Sequence, residues 1–146
     1  VNAGFSEGVW EALVESADET AAAGGALAGL LAVGNVVLFS GELGAGKTTM
    51  IRGLLAGLGY HGTVRSPTFN LIQTFLTEIP VMHADLYRLK NADGIGLEEY
   101  FATHLCLIEW PDRLGDIADP WRVNISFLGE GRLIRVERPP FENGRG

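Results

Sequence analysis

Apolar and polar positions alternate along residues 9–15, which predicts a short strand covered on one face. Ser16 with Glu19 three residues on has the spacing of a capping box and marks a helix start. That helix is expected to run through Leu31, with Leu27, Leu30 and Leu31 on one face, and to stop near Gly34. The next apolar stretch differs in kind. Val36-Val-Leu-Phe-Ser40 is continuous rather than alternating, the signature of a strand buried on both faces. Glycines follow it, and then an apolar-periodic helix from about Lys47 to Leu58, closed by Gly59. Phe69–Leu76 reads as a strand after the break at Pro67. Ile79–Ala84 and Leu105–Ile108 are two further apolar strands, with a short helix at Leu97–Phe101 between them. Val123–Leu128 and Arg132–Glu137, joined by Gly129-Glu-Gly131, predict a C-terminal hairpin.

Strands alternating with helices imply an α/β layered sheet with helices on both faces, made mixed by the antiparallel hairpin. The strand, glycine loop and helix at 36–58 make it P-loop NTPase-like. At 146 residues the chain is read as one domain, 1–146, with 138–146 (Pro139, Pro140, Asn143, Gly144) as a flexible tail. Glycine occurs 20 times, about twice ordinary usage. The glycines form no low-complexity tract, and those outside the loop are expected mostly at caps and turns. A net charge of -7 opposes an unaided grip on DNA or RNA, which needs clustered Lys and Arg. A single cysteine, Cys106, excludes an internal disulfide and fits a reducing compartment. No apolar run approaches the ~20 residues of a membrane span and no signal-peptide pattern opens the chain, so a cytoplasmic location is expected.

One segment carries explicit chemistry. Gly41-Glu-Leu-Gly-Ala-Gly46-Lys47-Thr48 matches the phosphate-binding loop G-x-x-x-x-G-K-[ST] in full. Its glycines (Gly41, Gly44, Gly46) let consecutive N–H groups face one anion, and the helix behind them adds its positive dipole end. Lys47 can reach the outer phosphates as a point charge, and the Thr48 hydroxyl is small enough to meet Mg²⁺. Such a loop needs a carboxylate at the end of a neighbouring strand, and two are available, Asp85 and Glu109. Their division of labour stays open: one would hold Mg²⁺ and the other orient the attacking water.

Ser66-Pro-Thr68-Phe lies between the loop helix and the first acidic strand, where Thr68 could sense a γ-phosphate. His61, His83 and His104 share no ligand spacing, and Cys106 reads as a core residue. Asp-x-x-Gly occurs twice, at Asp93 and Asp112, which shows how cheap that pattern is. No Asn-Lys-x-Asp segment is present, so the nucleotide is read as ATP rather than GTP.

Taken together, Gly41-Glu-Leu-Gly-Ala-Gly-Lys-Thr-Thr49, Ser66-Pro-Thr-Phe69, His83-Ala-Asp-Leu-Tyr-Arg-Leu89 and Ile108-Glu-Trp-Pro111 resemble the TsaE (YjeE) family. The resemblance extends from about Ser16 to Glu137, and the last three motifs make it specific. It implies a weak ATPase that supports threonylcarbamoyladenosine formation beside the tRNA anticodon by engaging TsaB and TsaD, with tRNA held through those partners. It also implies site roles. Gly44, Ala45, Gly46, Lys47, Thr48 and Thr49 would hold the phosphates, Thr48 and Glu109 the Mg²⁺, and Asp85 the γ-phosphate, water or metal. Thr68 would be a switch residue, Trp110 a mobile ring near the nucleotide, and Ala17 a neighbour of the adenine. Ala84 and Glu42 stand where the family often has Phe and Asp; neither change removes a catalytic group. Arg65, Arg88 and Arg113 remain equal candidates for an arginine finger, which a partner could also supply. The rival reading is a small P-loop metabolite kinase, but the 90–96 segment is too short for a lid over ATP and lacks arginine.

Overall fold

In the computed structural model, which describes residues 5–64, 71–90 and 95–140, seven strands form one mixed sheet. They are β1 (Val9–Val14), β2 (Val36–Ser40), β3 (Ile72–Leu76), β4 (Pro80–Asp85), β5 (Leu105–Glu109), β6 (Trp121–Leu128) and β7 (Gly131–Glu137). Their spatial order is β1-β7-β6-β2-β5-β4-β3. β6, β2, β5 and β4 are mutually parallel, while β7, β1 and β3 add antiparallel pairings at the flanks. Two α-helices, α1 (Ala17–Ala28) and α2 (Lys47–Gly57), complete the frame.

Strand periodicity sorts the core into two layers. Val37 and Phe39 of β2, with Leu105 and Leu107 of β5, pack with Leu27 of α1 and Met50, Ile51, Leu54 and Leu55 of α2. Their alternates, Val36, Leu38, Cys106 and Ile108, face the other way with Met82, Ala84, Leu86 and Leu97. Both α-helices therefore cover one face. The second face is covered by two short 3₁₀ turns, Leu97–Tyr100 and Pro111–Arg113, and the segments beside them. Each fully buried Leu, Ile or Phe contributes about 1.5–3 kcal/mol, and the central strands carry such residues on both sides.

Element ends follow local chemistry. Ser16 Oγ caps α1 by accepting from the Glu19 N–H at 3.1 Å, while the Glu19 carboxylate accepts from the Glu15 N–H at 2.7 Å. α1 stops at Ala28, three residues short of the Leu31 expected, because the chain tightens: Leu30 N–H bonds Leu27 O and Leu31 N–H bonds Ala28 O. β6 begins two residues early at Trp121, drawn in by its parallel pairing with Val37. The hairpin turn is just Gly129-Glu130, with positive φ at the glycine alone, the II′ pattern. Arg138, assigned to the tail, is held: its N–H donates to Gly8 O at 3.0 Å, and its guanidinium lies over Phe5 and Trp121. Residues 141–146 lie outside those described.

The glycines between the two helices stand apart from the caps and turns expected of most of the others. Gly24 of α1 and Gly53 and Gly57 of α2 are neither caps nor turns; they are where the two helices meet. A Cβ on Gly24 would collide with the Met50 carbonyl, and one on Gly53 with the Ala21 carbonyl. Only hydrogen at these positions lets the backbones touch.

Candidate functional site

The parallel strands deliver their C-terminal ends to one edge of the sheet, the position where open α/β folds bind ligands. β2 ends at Ser40 and runs into the glycine loop; β4 ends at Asp85 and β5 at Glu109. Asp85 and Glu109 are register partners, and Glu109 is also opposite Phe39 of β2. Both acids are therefore brought to the loop, as the sequence expects. Within the loop Gly41, Gly44 and Gly46 all take positive φ, and α2 begins at Lys47. Gly41 has a second constraint, since a Cβ there would strike the Ile125 carbonyl of β6 at 2.5 Å.

The side chains converge closely. Thr48 Oγ1 lies 3.1 and 3.3 Å from the two oxygens of Glu109. Glu109 Oε2 also meets His83 Nε2 at 2.7 Å, in a pair whose side chains are 3% and 0% exposed. Among the described residues His83 Nδ1 has no hydrogen-bond partner, so the ring is held at the site through its Nε2 contact with the carboxylate. From the sequence His83 reads only as a strand residue near Asp85, not as a site residue. Its signal was present, since residues two apart on a strand share a face and His83 stands two before Asp85.

Lys47 is buried; its Nζ donates to the Gly41 carbonyl and, at 3.1 Å, to the Glu42 carbonyl. Burial lowers its pKa, opposed by the negative charges of Glu109 and Asp85. Burial likewise raises the pKa of Asp85, helped by Glu109; the Tyr87 N–H donating to Oδ1 at 3.1 Å works against it, as do His83 and Lys47. Trp110 adopts a left-handed backbone, φ +62, immediately after Glu109, a strained conformation of the kind that collects at functional sites. Its ring lies 4.2 Å from Lys47 Nζ and 4.8 Å from the Tyr87 ring.

Two cavities flank the loop. The larger, about 510 Å³, is lined by Gly44, Gly46, Lys47, Thr48, Thr49, Asp85, Glu109 and Trp110, together with Leu43, Leu71, Tyr87 and Arg88. The smaller, about 240 Å³, lies between the start of α1 and the hairpin, and Ser16, Ala17, Thr20, Ala45, Thr49 and Arg132 border it. Ala17 thus lies beside the loop. Of the three arginines, Arg88 reaches the larger cavity, while Arg113 is engaged with the Leu89 and Tyr87 carbonyls and Asp112. Thr68 and Arg65 lie outside the described residues.

The donor set around Thr48 consists of oxygens, one hydroxyl and two carboxylates. Among the described residues no three His, Cys, Asp or Glu gather to hold a metal unaided. That combination fits a hard cation that keeps water and borrows phosphate oxygens, as Mg²⁺ does. Cys106 is buried mid-strand, its thiol pushed up to about 12 by burial, which makes it a poor nucleophile. Among the described residues no helix is long and apolar enough to cross a membrane.

Residues 14–135 match the family model of the threonylcarbamoyl adenosine biosynthesis protein TsaE. A Haemophilus influenzae protein described as tRNA threonylcarbamoyladenosine biosynthesis protein TsaE is 42% identical over 69% of this chain and 68% of its own. A Bacillus subtilis protein of the same description is 40% identical over 78% and 74%. The crystal structure of Bacillus subtilis YdiB superimposes with a TM-score of 0.77 at 29% identity, covering 90% of this chain and 86% of that one.

Proposed function

The chain belongs to the TsaE family of tRNA threonylcarbamoyladenosine biosynthesis proteins, and from that premise we propose that it binds ATP with Mg²⁺ and hydrolyses it slowly. It does so as an accessory to a TsaB–TsaD complex, which handles the tRNA. The observation that carries the reading is the contact between the Thr48 hydroxyl and the buried Glu109 carboxylate, made across 61 residues at the mouth of a complete phosphate loop. A glycine-rich turn with only a structural role would have no use for a buried acid at that point.

In this reading the N–H groups of residues 44–49 and the dipole end of α2 bind the phosphates, and Lys47 exchanges its loop carbonyls for phosphate oxygens. Mg²⁺ would be held by Thr48 and Glu109, with Asp85 in reach, and would supply charge neutralisation on the outer phosphates. His83 keeps the Glu109 carboxylate aimed at Thr48. Asp85, whose proton is held more tightly than usual, is suited to orient water. Trp110 and Tyr87 form an aromatic edge to the cavity that limits solvent access. The net charge of -7 supports leaving the grip on tRNA to the partners.

The test is ATP turnover of the purified chain, alone and with TsaB–TsaD, for wild type and Lys47→Ala. Turnover should depend on the partners, and Lys47→Ala should weaken ATP affinity by about 100-fold, the scale of a lost charge-assisted phosphate contact. Turnover indifferent to the partners would remove the accessory role; unchanged ATP affinity in Lys47→Ala would remove the nucleotide site itself.

A further inference from the structure

Arg132 is the second residue of β7 and sends its guanidinium back to the phosphate loop. Nε donates to the Ala45 carbonyl at 3.2 Å and Nη2 to the Gly44 carbonyl at 3.4 Å. Nη1 donates to the Gly131 and Glu130 carbonyls at 3.1 and 3.4 Å, within the hairpin itself. The guanidinium carbon also lies 4.3 Å from the centroid of the Phe127 ring. One planar cation therefore spans two segments 87 residues apart, seated on an aromatic ring and bonded only to backbone oxygens.

We propose that Arg132 is a positioning residue for the phosphate loop. A trans peptide points its carbonyl and its N–H in opposite directions. Holding the Gly44 and Ala45 carbonyls on the hairpin side thus turns the N–H groups of Ala45 and Gly46 to the other side. The Ala45 N–H already points into the loop, onto the Glu42 carbonyl at 3.0 Å. The two sides are distinct in the structure: Arg132 borders the smaller cavity, while Lys47 and Thr48 border the larger. Gly44 and Gly46, at φ +81 and +115, have no side chains to hold these peptides in place, so an external clamp has something to do. The inference rests on the nucleotide reading above and adds a residue from a distant part of the chain that no loop motif contains.

Arg132→Met keeps the stem over Phe127 and removes the fork; Arg132→Lys keeps the charge but cannot bond two loop carbonyls in one plane. Two measurements decide the matter: calorimetric affinity for Mg-ADP and for inorganic pyrophosphate, and amide hydrogen exchange at Ala45 and Gly46 without nucleotide. Arg132→Met should weaken ADP and pyrophosphate alike by about tenfold and speed the exchange by a similar factor, with Arg132→Lys closer to Met than to wild type. Wild-type affinities and exchange in Arg132→Met would overturn the proposal. So would a loss confined to ADP, which would make Arg132 a nucleoside contact instead. Faster exchange in Arg132→Met, in a protein whose wild type binds neither probe, would uphold the clamp and refute the nucleotide reading.

Discussion

The two halves of the sheet are built on opposite principles. β2, β5 and β4 are buried on both faces along nearly their whole length, whereas β6, β7 and β1 alternate between buried and exposed positions. The outward positions of that half mix polar and charged residues, such as the ion pair of Arg135 with Glu11 at 3.2 Å, with exposed apolar ones, Leu13 and Leu128. The candidate chemistry lies at the ends of the doubly buried strands. A carboxylate such as Glu109, 2% exposed, can be held there because packed layers on both sides fix the strand's position. The solvated half supplies Arg132, a side chain long enough to act at a distance.

Substitutions can break this comparison, and the largest effect is expected at the acid. Glu109→Ala should lower partner-stimulated ATP turnover by about 10²–10³-fold, measured under saturating Mg-ATP. A loss below tenfold would mean that the buried strand end is structural. Next comes the core itself. Leu107→Ala, at 0% exposure in β5, should cost about 3 kcal/mol in urea unfolding, whereas Leu13→Ala, at 68% exposure in β1, should cost under about 0.5 kcal/mol. Equal losses would show that the two halves are not built differently. The smallest effect concerns Asp85. Its carboxyl is held above the ordinary 3.8, so the folded chain binds that proton more tightly than the unfolded chain does. Stability therefore falls as pH rises from about 3.8 through the raised value, and the deficit persists at neutral pH. Asp85→Asn, which keeps an acceptor for the Tyr87 N–H, should raise the Tm at pH 7 by roughly 1–3 °C and lose that advantage below pH 3.8. An equal gain at both pH values would assign the effect to something other than the buried charge.

Much of this was legible in the amino-acid sequence because it is local. The continuous run at 36–40, the loop motif and the acids closing two apolar strands all predict their own surroundings, and the strand ends meet as parallel pairing requires. The misses are long-range. Nothing near Arg132 announces a bond to Ala45, and nothing near Gly24 or Gly53 distinguishes a helix contact from a cap, since each depends on a partner dozens of residues away. His83 lies between these cases: strand parity placed it on the acid's face, but only the fold supplied Glu109 as its partner. Early strand starts at Trp121 and Gly131 reflect pairing that overrides local preference.

The glycine contact between α1 and α2 acts as a ruler. Side chains between helices can repack and let the axes drift, but backbone resting on backbone leaves no compliant layer. α2 starts in the phosphate loop and α1 starts at Ser16–Ala17, beside the smaller cavity. The starts of the two helices are therefore held to one another through main-chain atoms, with no side chain between to adjust.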